Sequence, residues 1–112
     1  MSQITTHVLD TSQGCPGQGI SIRLQRMEGQ GAILLGEGIT NEDGRISDLL
    51  PEDELLEPGN YQMIFDTGAY FDAQGVTAFY PDVTIHFTIA DASHYHVPLL
   101  LNPFGYSTYR GS

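Results

Sequence analysis

The feature that most restricts the fold of this chain is a two-residue alternation of apolar and polar side chains. The alternation is clearest in residues 20–27, where Ile20, Ile22 and Leu24 are separated by polar residues. Successive side chains of a β-strand point to opposite faces, so this spacing predicts a strand that buries one face. Residues 82–90 repeat the pattern, with four apolar residues expected to point inward: Val83, Ile85, Phe87 and Ile89.

Shorter runs of strand-forming residues, separated by turn residues, predict six further strands at residues 3–10, 32–40, 45–50, 60–67, 95–101 and 106–110. In the run at residues 60–67, Tyr61, Met63 and Phe65 share one face. Residues 69–75 are the one segment with room for a helix, of about two turns. The expected fold is all-β: one domain, residues 1–112, forming an antiparallel sandwich or barrel of seven to eight strands with one short helix.

The charge balance argues against two classes of partner. The chain has 14 Asp and Glu residues against four Arg and no Lys, for a net charge of −10. A phosphate backbone or an anionic lipid surface would be repelled, so we expect neither nucleic acid nor a membrane as partner. No stretch approaches 18 apolar residues, and residues 1–7 lack a basic or long apolar segment, so we expect a cytoplasmic protein.

The predicted strand at residues 95–101 carries apolar side chains on both faces. Tyr95, Val97, Leu99 and Leu101 share one face, and the other carries His94, His96, Pro98 and Leu100. One face is expected to meet the core of the domain, and the other a second subunit or a lined pocket. A histidine on that second face is the first candidate for chemistry in this chain.

The candidate residues each have a plain structural alternative. His7 lies in the middle of the first predicted strand, where a histidine is commonly structural. Arg45 follows a tight turn, so it can complete a surface turn or present a planar, permanently charged fork to a flat anionic ligand. His94 and His96 have a spacing compatible with a metal, but no third ligand is evident beside them, so no metal site is predicted.

Motifs of covalent catalysis and of nucleotide binding are missing from the sequence. If the chain is a hydrolase, water is therefore the expected nucleophile, with a histidine taking its proton. His7, His96 and Arg45 would be a sufficient set for this chemistry. One imidazole would act as base, the other would orient water or protonate a leaving nitrogen, and the guanidinium would stabilise negative charge. The sequence leaves open which histidine is the base.

Several segments, taken in order, together resemble one family. They are Thr-His-Val-Leu-Asp-Thr at 6–11, Asp-Gly-Arg at 43–45, Ala-Phe-Tyr-Pro-Asp-Val at 78–83, His-Val-Pro-Leu-Leu-Leu at 96–101 and Tyr-Ser-Thr-Tyr-Arg-Gly-Ser at 106–112. With these segments the chain resembles the 5-hydroxyisourate hydrolases, the transthyretin-like enzymes of urate breakdown. Two small departures from the family pattern, Gly17 and Asn102, fall outside the candidate positions.

The resemblance implies a transthyretin-like β-sandwich that forms a homotetramer, with active sites in a channel at the dimer–dimer interface. It implies hydrolytic ring opening of 5-hydroxyisourate to 2-oxo-4-hydroxy-4-carboxy-5-ureidoimidazoline, without cofactor or metal. The residues that it assigns to catalysis are His7, Arg45 and His96. Those that it assigns to substrate binding are Tyr109, Arg110, Gly111 and Ser112.

Two other classes of function are compatible with the same architecture. A transthyretin-like carrier would bind a flat ligand in the channel without turnover, and it would not require the two histidines, the arginine and the C-terminal motif. An adhesion-type sandwich without a ligand would leave the second apolar face of residues 95–101 unexplained unless that face forms a dimer. The intact set of candidate residues favours the hydrolase.

Overall fold

The computed structural model describes residues 2–111, which form two β-sheets facing each other across one hydrophobic core. A single short helix, α1 (Thr67–Asp72), accompanies the strands in this part of the chain. In chain order the strands are β1 (Ile4–Asp10), β2 (Cys15–Pro16), β3 (Ser21–Glu28), β4 (Gly31–Ile39), β5 (Arg45–Ile46), β6 (Gly59–Phe65), β7 (Val83–Ile89), β8 (Tyr95–Asn102) and β9 (Gly105–Thr108). The predicted all-β sandwich with one short helix is confirmed.

The candidate residues lie in the sheet whose order is β2-β1-β8-β9, with β5 also paired to β1. The second sheet has the order β4-β3-β6-β7. All strand pairs described are antiparallel except β1 and β8, which run parallel. These two strands come from opposite ends of the chain and are joined through the whole second sheet. No tight hairpin therefore forces them to be antiparallel.

The structure corrects the bounds of several predicted elements. The strand predicted at residues 45–50 covers only Arg45–Ile46, because Leu49 and Leu50 are adjacent and both buried, which an alternating strand with one buried face does not allow. Thr67 begins the helix instead of ending β6, so the helix starts two residues earlier than predicted, and it ends three residues earlier, at Asp72. The last strand is Gly105–Thr108, so Gly105 belongs to the strand and not to the turn before it.

Most of the side chains that the alternating pattern predicted to point inward are buried in the core. Ile20, Ile22 and Leu24 are buried, as are Tyr61, Met63 and Phe65 of β6. Val83, Ile85 and Ile89 of β7 are buried as well, whereas Phe87 is only partly buried and packs against the edge of the core. On β8 the predicted inward face is confirmed, with four buried side chains: Tyr95, Val97, Leu99 and Leu101.

Asp10 ties the end of β1 to the helix. Its carboxylate is fully buried and accepts hydrogen bonds from Ser12, from Gln13 and, at 2.8 Å, from the Tyr70 hydroxyl. Burial opposes ionisation, but these hydrogen bonds outweigh it and lower the pKa of Asp10. Burial and the bond to Asp10 raise the pKa of Tyr70 to about 12. This network fixes the strand that carries His7.

No helix formed by residues 2–111 has the length and apolar character needed to cross a membrane.

Candidate functional site

An open depression of about 500 Å³ lies on the first sheet. Side chains from β1, β5 and β8 meet there, together with one residue from the loop before β8. Thr5 and His96 belong to the sheet face that points away from the core, because they alternate with the buried residues Ile4 and Tyr95. The lining residues are Thr5, Thr6, Arg45, Ile46, Ser47, His94 and His96.

Strand pairing brings Arg45 next to His7. In the antiparallel pair of β1 and β5, His7 lies opposite Arg45. The turn before Arg45 is fixed by Asn41, whose side-chain oxygen accepts hydrogen bonds from the backbone N–H groups of Asp43 and Arg45. Gly44 completes the turn at φ +74°, where a Cβ would lie 2.4 Å from the Val8 carbonyl oxygen, so only glycine allows this approach to β1.

The parallel pairing of β1 with β8 brings His96 to the same place. Thr5 lies opposite His96, and the Thr5 hydroxyl is 2.8 Å from His96 Nδ1. On the other side, the Gly111 N–H donates to the His96 carbonyl at 2.8 Å. A Cβ at position 111 would lie 2.6 Å from His96 Cδ2, so the imidazole is held between a threonine hydroxyl and a glycine.

Both imidazoles are biased toward the neutral form. Burial and the neighbouring Arg45 charge lower the pKa of His7 from its ordinary value of 6.5, against an opposing effect of Asp43, whose backbone is hydrogen bonded to the imidazole. Burial lowers the pKa of His96 too, followed by the charges of Arg45, His94 and His7. Neutral imidazoles can accept a proton from water near pH 7, which a base requires.

Arg45 is the arginine that faces this depression. No ion pair or hydrogen bond within residues 2–111 engages its guanidinium, and the residue is exposed. The other three arginines lie elsewhere. Arg26 pairs with two glutamates at 3.6 Å, Arg23 lies beside Asp66 and Asp82, and Arg110 lies over the Tyr95 ring. A cation whose donors are not used by the protein is suited to binding an anionic ligand.

The structure separates the members of the C-terminal motif. Gly111 contacts His96 directly, as described above. The Arg110 guanidinium carbon lies 4.2 Å from the centre of the Tyr95 ring, and Nη2 donates to the Ser93 hydroxyl at 3.2 Å. Arg110 and the exposed Tyr109 line a second depression between β7 and β8, away from Arg45. Ser112 lies outside the described residues. The substrate-binding roles of these residues stay predictions.

Sequence reasoning did not single out Thr5, whose hydroxyl contacts His96. The signal was present, since Thr5 and His7 share a face at a two-residue spacing. What was missing was the parallel register that sets Thr5 beside His96. His94 drew notice only as a possible metal ligand, and within residues 2–111 no three His, Cys, Asp or Glu side chains cluster closely enough to hold a metal ion. Ser47 had no signal in the sequence.

The fold and the site together define a transthyretin-like β-sandwich with acid–base groups and a guanidinium on the outer face of one sheet. The chain matches the HIUase/Transthyretin family over residues 4–111 and belongs to that family.

Relatives and solved structures support this assignment. The 5-hydroxyisourate hydrolase of Pseudomonas aeruginosa is 50% identical over 117 residues, covering 100% of this chain and 93% of the relative. The structure of Klebsiella pneumoniae 5-hydroxyisourate hydrolase matches with a TM-score of 0.86 at 38% identity, covering 100% of this chain and 94% of that one. Sea bream transthyretin in complex with thyroxine matches with a TM-score of 0.90 at 28% identity, covering 97% and 94%. The predicted transthyretin-like fold is confirmed.

Proposed function

We propose that this chain, acting as a single domain of residues 1–112, hydrolyses 5-hydroxyisourate to 2-oxo-4-hydroxy-4-carboxy-5-ureidoimidazoline in urate degradation. The observation that carries the proposal is the meeting of His7, Arg45 and His96 on one sheet face. The relatives named 5-hydroxyisourate hydrolase match nearly the full length of the chain, which supports the choice of substrate.

In the proposed reaction, a neutral imidazole takes a proton from water as the water oxygen attacks the ring carbonyl of the substrate. The carbon–nitrogen bond then breaks, and the departing nitrogen receives the proton that the first imidazole took from water, while the second imidazole orients the water. Arg45 is proposed to bind the substrate and to stabilise the negative charge that develops on the carbonyl oxygen. The lowered pKa values of His7 and His96 support the role of base, because a neutral ring can accept the proton from water near pH 7.

The C-terminal motif is proposed to complete substrate binding. Tyr109, Arg110, Gly111 and Ser112 carry this assignment from the family resemblance. Gly111 has support from its contact with His96. Arg110 is held by Tyr95 and Ser93 in the single chain, so a direct role in binding would require a substrate that reaches this side of the sheet or a neighbouring subunit.

We also propose a homotetramer with active sites at the dimer–dimer interface. The depression is open in the single chain, and Leu100, which lies on the same face of β8 as His96, is only partly buried. A second subunit across this face would exclude water and enclose the substrate. Light scattering on the purified protein should give four times the chain mass of 12.3 kDa. A monomer with full activity would contradict the shared-site arrangement.

The proposed place of action is the cytoplasm, which rests on the family resemblance. Cell fractionation with an antibody against the native chain tests it. Recovery of the protein with the membrane or outside the cell would contradict this location.

The experiment that tests the function is an ultraviolet time course. 5-Hydroxyisourate is generated in place from urate by urate oxidase, and its decay is followed with and without the protein. We expect decay far faster than the spontaneous rate and proportional to protein concentration. Decay at the spontaneous rate would contradict the proposal.

The second candidate function is a carrier of a flat small molecule. The observation that favours it is the TM-score of 0.90 to a transthyretin crystallised with thyroxine. A carrier has no need of two neutral imidazoles beside an arginine, and this difference favours the hydrolase. Isothermal titration with thyroxine distinguishes the two: we expect no binding at micromolar ligand, whereas saturable binding without turnover of 5-hydroxyisourate would establish the carrier.

A further inference from the structure

The Thr5 hydroxyl stands between two histidines. Its oxygen lies 2.8 Å from Nδ1 of His96 and 3.0 Å from Nε2 of His94. The two imidazole rings are nearly parallel, with an interplanar angle of 20° and centroids 6.5 Å apart. A single hydroxyl therefore connects His94, which belongs to none of the roles assigned above, with His96, one of the two imidazoles proposed for catalysis.

A hydroxyl has one proton and two lone pairs, so Thr5 can donate to at most one of the two rings. When its proton is used between the rings, the two hydrogen bonds point in opposite directions, and two arrangements result. In the first arrangement, Thr5 accepts from an N–H at His96 Nδ1 and donates to His94 Nε2. In the second, Thr5 donates to His96 Nδ1 and accepts from an N–H at His94 Nε2. The tautomers of the two neutral rings are thus coupled through one oxygen atom.

The two arrangements differ in what His96 offers to the substrate. The first leaves a lone pair on Nε2, which can take a proton from water. The second places an N–H there, which cannot. Within residues 2–111, Nδ1 is the hydrogen-bonded ring nitrogen of His96, so Nε2 is left for the depression.

Charge in the depression favours the first arrangement. Arg45 lines the same depression, and a cation is attracted by a lone pair and repelled by an N–H dipole. The charged or titratable groups that act on His96 from the elements around it are Arg45 of β5, His7 of β1 and His94 of the loop before β8. All three disfavour an additional proton on His96 and so favour the neutral ring. What Thr5 can then determine is which ring nitrogen carries the single proton.

We propose that Thr5 and His94 are positioning residues, which hold His96 with its proton on Nδ1 and its lone pair on Nε2. When His96 takes a proton from water at Nε2, its Nδ1–H continues to donate to Thr5, and Thr5 continues to donate to His94. No hydrogen bond has to reverse during the step. The catalytic consequence rests on the proposed hydrolysis, whereas the tautomer itself does not.

Imidazole nitrogen NMR of the full-length ¹⁵N-labelled protein at pH 8 tests the tautomer without any substrate. We expect the Nδ1–H pattern for His96 in the wild type and a shift toward Nε2–H in Thr5→Val, which keeps the shape but removes the hydroxyl. Thr5→Ser should restore the wild-type pattern. An Nε2–H tautomer in the wild type, or an unchanged tautomer in Thr5→Val, would overturn the proposal.

Kinetics on 5-hydroxyisourate test the consequence. Loss of one hydrogen bond corresponds to about a tenfold change, so we expect kcat of Thr5→Val to fall about tenfold with KM unchanged, and Thr5→Ser to recover it. The matched control is Thr84→Val, which removes an exposed threonine hydroxyl from β7 of the other sheet, outside both depressions. We expect no change from it.

His94→Phe provides a second route, because His94 is exposed and its replacement leaves the core intact. It removes the acceptor for the Thr5 proton, so we expect the same tautomer change and the same loss of kcat. Wild-type kcat in both Thr5→Val and His94→Phe would overturn the positioning role. Absence of turnover in the wild type would instead refute the proposed function, and the NMR result would still decide the tautomer.

Discussion

Replacement of Gly111 by alanine tests how closely the C-terminal segment holds His96, the proposed catalytic histidine. A Cβ at this position would lie 2.6 Å from His96 Cδ2 and 3.2 Å from His96 Cβ and Cγ. Carbon atoms normally approach to about 3.5–4.0 Å, so the ring or the segment must move by about 1 Å. The backbone of Gly111 is not in the left-handed region, so the steric contact is the source of the effect.

A displacement of about 1 Å in a catalytic group costs on the order of a hundredfold in rate, which corresponds to about 2.7 kcal/mol of transition-state stabilisation. The stability cost is smaller. The ring shift weakens the Thr5–His96 hydrogen bond, which is worth about 1 kcal/mol. We therefore expect Gly111→Ala to fold normally and to lose activity on 5-hydroxyisourate. If the segment moves instead of the ring, Tyr109 and Arg110 shift with it, and KM rises.

The assay combines steady-state kinetics with thermal unfolding, and Gly31→Ala is the matched control. A Cβ at Gly31 meets only the Glu28 carbonyl oxygen at 3.7 Å, an ordinary contact on the other sheet. We expect wild-type kinetics from it. A folded Gly111→Ala protein with wild-type kcat and KM would refute the idea that contact with Gly111 positions His96.

Arg45→Lys keeps the charge but loses the planar guanidinium fork. Removal of one hydrogen-bond donor to the transition state costs about a hundredfold in rate, so we expect kcat/KM to fall by about this factor in steady-state kinetics. Because the pKa values of His7 and His96 are lowered, the unfolded chain binds more protons than the folded one below pH 6.5. Stability should therefore decrease as pH falls through this range, as measured by the urea midpoint, while the acid limb of kcat/KM should lie below pH 6.5. Tyr70→Phe removes the hydrogen bond to Asp10, and we expect a loss of about 1–3 kcal/mol in urea unfolding with little change in kcat.

The strands could be predicted because their signal is local. Burial of Ile20, Ile22 and Leu24 follows from a two-residue period that any strand with one buried face must show. The helix was misplaced by two residues because its start is set by the tertiary burial of Thr67 and Phe71, not by a capping signal. The strand after Arg45 ended early for a similar reason, since the core takes both Leu49 and Leu50.

The site was predictable in its residue types but not in its geometry. His7 and Arg45 were named from strand and turn patterns, and His96 from an apolar strand with a histidine on its outer face. Their proximity depends on the parallel register of β1 with β8, which joins residues about 90 positions apart in the sequence. No local pattern encodes that register, and for this reason the Thr5 hydroxyl between two imidazoles was not foreseen.

The most direct test of the proposed site compares the decay of 5-hydroxyisourate with wild type, His96→Ala and His86→Ala. His86 is an exposed histidine on β7 of the other sheet. It lines the second depression and is absent from the one that holds Arg45 and His96, so its replacement matches the chemical change outside the proposed acid–base groups. Removal of a general acid or base costs about 10²–10⁴-fold, so we expect kcat of His96→Ala to fall by that factor and His86→Ala to keep the wild-type rate. A folded His96→Ala protein with wild-type turnover would contradict the proposed site.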